Sequence, residues 1–293
     1  MSKPTLIGLG EVLWDILPKG RKLGGAPGNF AYHAQALGGR GLVMSTVGDD
    51  DDGDKILANL EKLGLSCDYI TRDADHPTGT VSVKLNKKGS PTFTIHEDVA
   101  WDYLAITDDM LDEAASADAI CFGSLAQRNP VSRAAVRKIV SMADEDALHI
   151  FDVNIRQSFY CAEVLRTSLD LANVFKISDE ELPVVAGELH LPADADDFAE
   201  AAIRDYDLRL MALTRGANGS VLYMEGDRIE HPGERVKVAD TVGAGDAFTA
   251  ALALGLLHEE ELVEISDHSN HVAAYVCGRS GATPKIPEDF AYT

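Results

Sequence analysis

Residues 240–250 read Asp-Thr-Val-Gly-Ala-Gly-Asp-Ala-Phe-Thr-Ala and bring together the parts of a phosphoryl-transfer site. Gly243, Ala244 and Gly245 are small enough for consecutive backbone N–H groups to approach a ligand, and the apolar run 247–257 predicts a buried helix whose start favours an anion. Asp246 falls in the first turn of that helix. An ionised carboxylate there can take the proton of an alcohol attacking a phosphoryl group, while the amides of 243–245 receive charge on the phosphoryl oxygens. The same segment also suits a plain helix entry with a capping acid, so the string alone leaves both readings open.

Other residues offer ligand chemistry at similar places. In Gly24-Gly25-Ala26-Pro27-Gly28-Asn29-Phe30-Ala31, paired glycines permit close backbone approach, Pro27 stiffens the turn, and Asn29 presents both donor and acceptor to a polyol. Asn29 also reads as the N-cap of a helix over 30–37, and the two roles are compatible. Asp15, in Gly10-Glu11-Val12-Leu13-Trp14-Asp15, follows a strand expected at 5–9, where its carboxylate could accept hydrogen bonds from two adjacent hydroxyls or simply face solvent. Phe151-Asp152-Val153-Asn154-Ile155-Arg156 ends another strand, and the Arg156 fork suits a carboxylate, a phosphate or a surface acid. In Lys176-Ile177-Ser178-Asp179-Glu180-Glu181 the last two acids also fit the first turn of a helix. In Thr214-Arg215-Gly216-Ala217-Asn218-Gly219-Ser220 the glycines fit either a turn beneath a nucleotide or a hairpin.

The blocks at 24–31 and 240–250, far apart in sequence, together resemble the two signatures of the ribokinase-like, or PfkB, sugar kinases. With Phe122-Gly123-Ser124-Leu125-Ala126-Gln127-Arg128 and Asp-x-Asn-x-Arg at 152–156, the chain looks most similar to fructokinases over nearly its whole length. The resemblance implies a sugar acceptor, ATP and Mg²⁺, with Asp246 as catalytic base and Gly243, Ala244 and Gly245 as the anion hole. It assigns Asp15, Gly25, Asn29 and Arg156 to the sugar, and Lys176, Thr214, Gly216, Gly219 and Asn270 to the nucleotide. Glu181 would act on Mg²⁺ through water, although Ser178 stands where the family element has Asn, and Tyr160 replaces a usual Trp. A K⁺ site would use Asp240 and the Val242 carbonyl. Lys285 replaces a coordinating hydroxyl there, and its ammonium would oppose a cation unless it points away. D-Fructose is the expected acceptor, phosphorylated at its primary hydroxyl to fructose 6-phosphate. 2-Keto-3-deoxygluconate is the leading alternative, and ribose ranks lower because ribokinases carry Lys in place of Pro in the first signature. A catalytically silent sugar sensor would be expected to lose the base or the glycines, which this chain keeps. The family also suggests a homodimer through the lid.

These side chains need a scaffold that gathers them. Short apolar runs at 119–122, 148–153, 174–177 and 210–214 alternate with helix candidates near 130–145, 162–171 and 195–205, which predicts a doubly wound, mostly parallel sheet flanked by helices. Ligands should then collect at the strands' carboxyl ends. Two stretches break the rhythm, 11–22 and 79–96. In the second, two alternating runs flank a turn at 86–91 and read as an antiparallel hairpin, which the resemblance makes part of a small β-strand lid over the sugar; a surface hairpin on the main sheet is the other reading. Residues 1–293 are expected to form one kinase domain with the lid strands inserted in it. The acidic runs 49–54 and 194–197 read as solvated caps or loops.

Composition narrows the partners. With 26 Lys and Arg against 48 Asp and Glu the formal net charge is -22, which disfavours nucleic acid and anionic membranes and also repels ATP. The positive field for a nucleotide must therefore be local. Cysteines at 67, 121, 161 and 277 lack paired metal spacing and read as reduced, mostly buried residues. No apolar run approaches the roughly 20 residues that span a bilayer, and the N-terminus lacks signal-peptide features, so a cytoplasmic protein is expected.

Overall fold

A computed structural model describes residues 3–17, 20–85 and 91–292; Pro18 and the turn residues 86–90 lie outside them. The first part of the chain forms β1 (Thr5–Leu9), β2 (Leu13–Leu17), β3 (Gly20–Gly24), α1 (Ala26–Ala36), β4 (Arg40–Gly48), α2 (Asp51–Lys62), β5 (Ile70–Asp73), β6 (Thr80–Leu85) and β7 (Pro91–Ile95). Then come α3 (Asp108–Ala115), β8 (Ala119–Phe122), α4 (Pro130–Val140), β9 (Leu148–Asp152), α5 (Ala162–Leu171), β10 (Val174–Ser178), α6 (Leu182–Leu189) and α7 (Ala195–Tyr206). The last part holds β11 (Leu210–Thr214), β12 (Ser220–Met224), β13 (Asp227–His231), α8 (Ala244–Leu257) and α9 (Leu262–Cys277).

The main sheet runs β13-β12-β11-β10-β9-β8-β1-β4-β5. It is parallel from β5 to β11, and only β12 and β13 run antiparallel, so the expected doubly wound, mostly parallel sheet is what forms. Its central strands, such as β1 and β8, are buried on both sides because helices cover both faces. On one face Phe122, Phe151 and Phe175 stack across β8, β9 and β10 with ring centroids 5.5 and 5.7 Å apart. On the other, α8 is buried all round between α1, α9 and the sheet, which explains why residues 247–256 carry almost no polar side chain.

The two stretches outside the rhythm form a second sheet, ordered β3-β2-β6-β7. β6 and β7 pair antiparallel, as the hairpin reading requires, while β2 joins β6 in parallel. Leu13, Val81 and Ile95 on these strands share an apolar cluster with Leu125 and Ala126, just beyond the end of β8. The small sheet therefore sits over the carboxyl edge of the large one as a lid.

Some boundaries depart from expectation. α1 begins at Ala26 rather than Phe30, with Pro27 in its first turn, where a fixed φ and a missing donor cost nothing. Asn29 is thus inside the helix and is not its cap. α4 stops at Val140, short of 145, and a turn follows in which Asp144 accepts from the Asp146 amide. Asp50 and Asp194 cap α2 and α7, as the acidic runs suggested. All four cysteines are free, but they are not mostly buried as expected: only Cys121 is buried, Cys67 and Cys277 are half-buried, and Cys161 is exposed at the start of α5. Among the described residues no helix is long and apolar enough to cross a membrane.

The far end of the chain stitches α1 to α8. The Tyr292 amide donates to the Leu37 carbonyl at 2.8 Å and its hydroxyl to that of Ala251 at 3.2 Å. Tyr32 donates to the Pro284 carbonyl at 2.9 Å, and His33 Nε2 lies 2.9 Å from that of Ala282.

Candidate active site

α8 starts at Gly243, whose φ of 83° is left-handed, and no side chain caps that end. A Cβ at 243 would lie 2.4 Å from the Ala282 carbonyl oxygen, so the loop packs where only glycine fits. Asp246 stands half-buried in the first turn, its Oδ2 accepting a 2.8 Å hydrogen bond from the Asn29 amide of α1. Burial, then the negative charge of Asp152, pushes the Asp246 carboxyl up to about 6, while Asn29, Lys176 and Arg156 pull the other way. A carboxylate so placed is ionised at neutral pH yet basic enough to take a proton.

Beneath the glycines lies a buried cation. Lys176, on β10, donates to Asp152 Oδ1 at 3.0 Å, and Thr249, on α8, donates to Asp152 Oδ2 at 3.1 Å. Burial opposes the charge of Lys176, but Asp152, Glu181 and Asp246 outweigh it and hold the ammonium above its ordinary range. Its Nζ lies 3.3 Å from where a Cβ on Gly245 would be. This supplies, inside a strongly acidic chain, the local positive charge that an anion at the start of α8 needs. Asp152 and Thr249 were not singled out from sequence. The available signals were the Asp of the Asp-x-Asn-x-Arg segment and the i,i+3 spacing of Thr249 from Asp246.

Glu181 holds two segments together. Its Oε1 accepts from the Ile155 amide at 2.8 Å, and its Oε2 from the Ser178 amide and hydroxyl at 2.9 and 2.7 Å. Oε1 keeps a lone pair for water. Among the described residues no group of three His, Cys, Asp or Glu is placed to hold a metal ion.

On the lid side, Asp15 is half-buried on β2, its carboxyl raised by burial and lowered by Arg156 and Lys22. Gly25, next to α1, has φ 114°. Arg156 is exposed, donates to its neighbour's carbonyl at 3.1 Å, and acts on Asp15, Asp246 and Glu11. Glu11 was missed. It is 5% exposed just after β1, and burial pushes its carboxyl up to about 7. Glu11, Asp152, Asn154 and Asp246 line one cavity with Pro27 and Phe122, and Asn154 takes a left-handed φ of 41° there.

The expected nucleotide residues are more dispersed. Thr214 ends β11, and Gly216 and Gly219 follow with φ of 54° and 79°. Asn270 is buried on α9, its amide donating to Ser220 Oγ and the Ser266 carbonyl, both at 2.8 Å, so it ties α9 to β12. An open groove runs between 234–239 and α9, lined by Val236, Val238, His271 and Tyr275. Its wall ends one residue before Asp240. Asp240 accepts from the amides of Val242 and Gly281 and from Lys22 of β3, the last at 3.3 Å. Burial works against its charge, but these three donors hold its carboxyl below the ordinary range. Lys285 is exposed, and its carbonyl accepts from Tyr275.

Comparison with known proteins places the chain in a family. A model of pfkB family carbohydrate kinases matches residues 20–289. PH1459 of Pyrococcus horikoshii, an uncharacterized sugar kinase, is 32% identical, covering 92% of this chain and 86% of its own. Its structure in complex with ATP superposes with a TM-score of 0.81 at 28% identity, over 97% of this chain and 95% of that one. A fructokinase of Escherichia coli is 31% identical over 95% of both chains. A fructokinase of Vibrio cholerae, solved with fructose, ADP and potassium ion, has a TM-score of 0.82 at 25% identity, over 98% of this chain and 96% of that one. The chain belongs to the pfkB family: it is a carbohydrate kinase, a phosphotransferase built on the ribokinase-like fold.

Proposed function

We propose that this kinase transfers the terminal phosphoryl group of Mg·ATP to the primary hydroxyl of D-fructose, giving fructose 6-phosphate and ADP. One observation carries the reading: the Asp246 carboxylate, oriented by Asn29, stands at the uncapped start of α8 beside a buried ammonium. The sugar hydroxyl gives its proton to Asp246 as its oxygen attacks. The amides of Gly243, Ala244 and Gly245, with Lys176 beneath them, stabilise the negative charge of the transferred group. Mg²⁺, when bound, neutralises phosphate charge, and Glu181 would orient water in its shell. Asp15, Gly25, Asn29 and Arg156 position the sugar, and the lid keeps water from competing. Thr214, Gly216, Gly219 and Asn270 belong to the nucleotide side, whose base takes the groove beside α9.

Fructose is supported by the fructokinases among the relatives and by the polar groups of Glu11, Asp152, Asn154 and Asp246 along an otherwise apolar cavity. The V. cholerae fructokinase was solved with potassium ion, whereas here Lys22 already neutralises Asp240. K⁺ at Asp240 and the Val242 carbonyl would have to displace that ammonium, so the reaction should proceed without it. Arg156 favours 2-keto-3-deoxygluconate as the second reading, because an exposed guanidinium suits an acceptor carboxylate. A coupled ADP-release assay over fructose, 2-keto-3-deoxygluconate and ribose decides. Fructose should show the highest kcat/KM, and a higher value for the keto acid would replace it.

A further inference from the structure

Arg128 lies just past the end of β8, away from the reacting groups, yet it is among the most completely engaged side chains in the molecule. Its Nε and Nη2 donate to the two oxygens of Asp102, each at 2.7 Å, and this ion pair is buried, with side-chain exposures of 6% and 2%. Nη2 also donates to the His96 carbonyl at 2.6 Å, immediately after lid strand β7. The guanidinium plane lies between two rings, 4.0 Å from the centre of Trp101 and 4.7 Å from that of Phe159. Nη1 is buried without a hydrogen-bond partner, as expected of a group held between ring faces.

Both hinges of the lid's β6–β7 hairpin converge on this cluster. On the exit side, Asp102 accepts from the Val99 amide at 3.3 Å. On the entry side, a Cβ at Gly79 would lie 2.2 Å from Trp101 Nε1, so that backbone passes directly over the indole, and the Pro77 carbonyl accepts from the Ala100 amide. Phe159 belongs to neither hinge. Its amide donates to the Arg156 carbonyl at 3.0 Å, closing the turn that carries Arg156. Arg128 thus joins the hinges of the lid to the loop bearing the exposed guanidinium of the sugar side.

We propose that Arg128 is a positioning residue that couples lid placement to the Arg156 loop, so that the acceptor is held and water excluded together. The assignment rests on the proposed sugar site. A planar fork is needed because it satisfies a carboxylate bidentately while offering both faces to rings, which an ammonium does not do. Arg128→Lys should raise the KM for the acceptor about tenfold while leaving that for ATP within about twofold, since uniform binding is lost on one side only. ADP release should also exceed sugar phosphate formed by severalfold, because water reaches the phosphoryl group. Hydrogen–deuterium exchange provides a readout independent of turnover: in Arg128→Lys it should rise at both 96–102 and 155–160. Phe159→Leu, which leaves the Asp102 pair intact, should likewise raise exchange at both segments. A rise confined to one of the two segments in either variant overturns the coupling, as do parallel changes in the two KM values. If no acceptor is turned over by the wild type, the proposed function fails while the exchange result still decides the coupling.

Discussion

At the residue scale, the proposed reaction turns on Asp246, a carboxylate that burial makes harder to ionise. Asp246→Asn should retain sugar and ATP binding and lose about 10²–10⁴-fold in turnover, measured as kcat with binding followed by calorimetry. Because Asp246 titrates near 6, kcat should fall tenfold per pH unit below that value, where the base is protonated, and level off above it. The same shift bears on stability with the opposite consequence. The folded state holds this proton more tightly than an unfolded chain titrating near 3.8, so stability is lost as pH rises from that value through about 6. Asp246→Asn should therefore melt a few degrees higher than wild type at pH 8, and a lower melting temperature would refute the burial account. Asp246 and its glycines were legible as a candidate site because the proposed base and anion hole are consecutive in sequence. The hydrogen bond that orients the base was not, since Asn29 is 217 residues away and equally resembles a helix cap. Glu11 and Asp152 escaped notice for a related reason: their importance comes from burial, which depends on what other elements cover them.

At the element scale, strands announced themselves wherever both faces are covered, because the runs at 119–122 and 210–214 must then be apolar throughout. Lid pairing was only half legible. The β6–β7 hairpin follows from adjacency, but the parallel β2–β6 pairing joins segments separated by β3, α1, β4, α2 and β5, and no local pattern encodes that. The start of α8 allows a direct test. Gly243→Ala would place a methyl 2.4 Å from the Ala282 carbonyl at a left-handed φ, costing at least about 1–2 kcal/mol from conformation alone. Denaturant unfolding should show that loss, and kcat should fall more than the acceptor KM changes, because the amides that move face the transferred group.

At the scale of the whole molecule, a net charge of -22 sets how ATP arrives. Added salt shortens the reach of that field to about 8 Å at 0.15 M, so the ATP KM should fall as ionic strength rises from a low value. With ionic strength fixed, exchanging KCl for choline chloride should change kcat by less than about twofold, because Lys22 already offsets Asp240. Strong K⁺ activation would show that Lys22 yields its place. Sedimentation at several concentrations would show whether the lid strands pair two copies, as their exposed edges allow. The stitching of α1 to α8 by residues 282–292 has a consequence during biosynthesis. Asn29 leaves the ribosome early and Asp246 late, and the carbonyls and hydroxyls that fasten their two helices together emerge later still. On the proposed mechanism, a nascent chain with its lid and sheet already formed would therefore remain chemically idle, unable to squander nucleotide until residues 282–292 have docked.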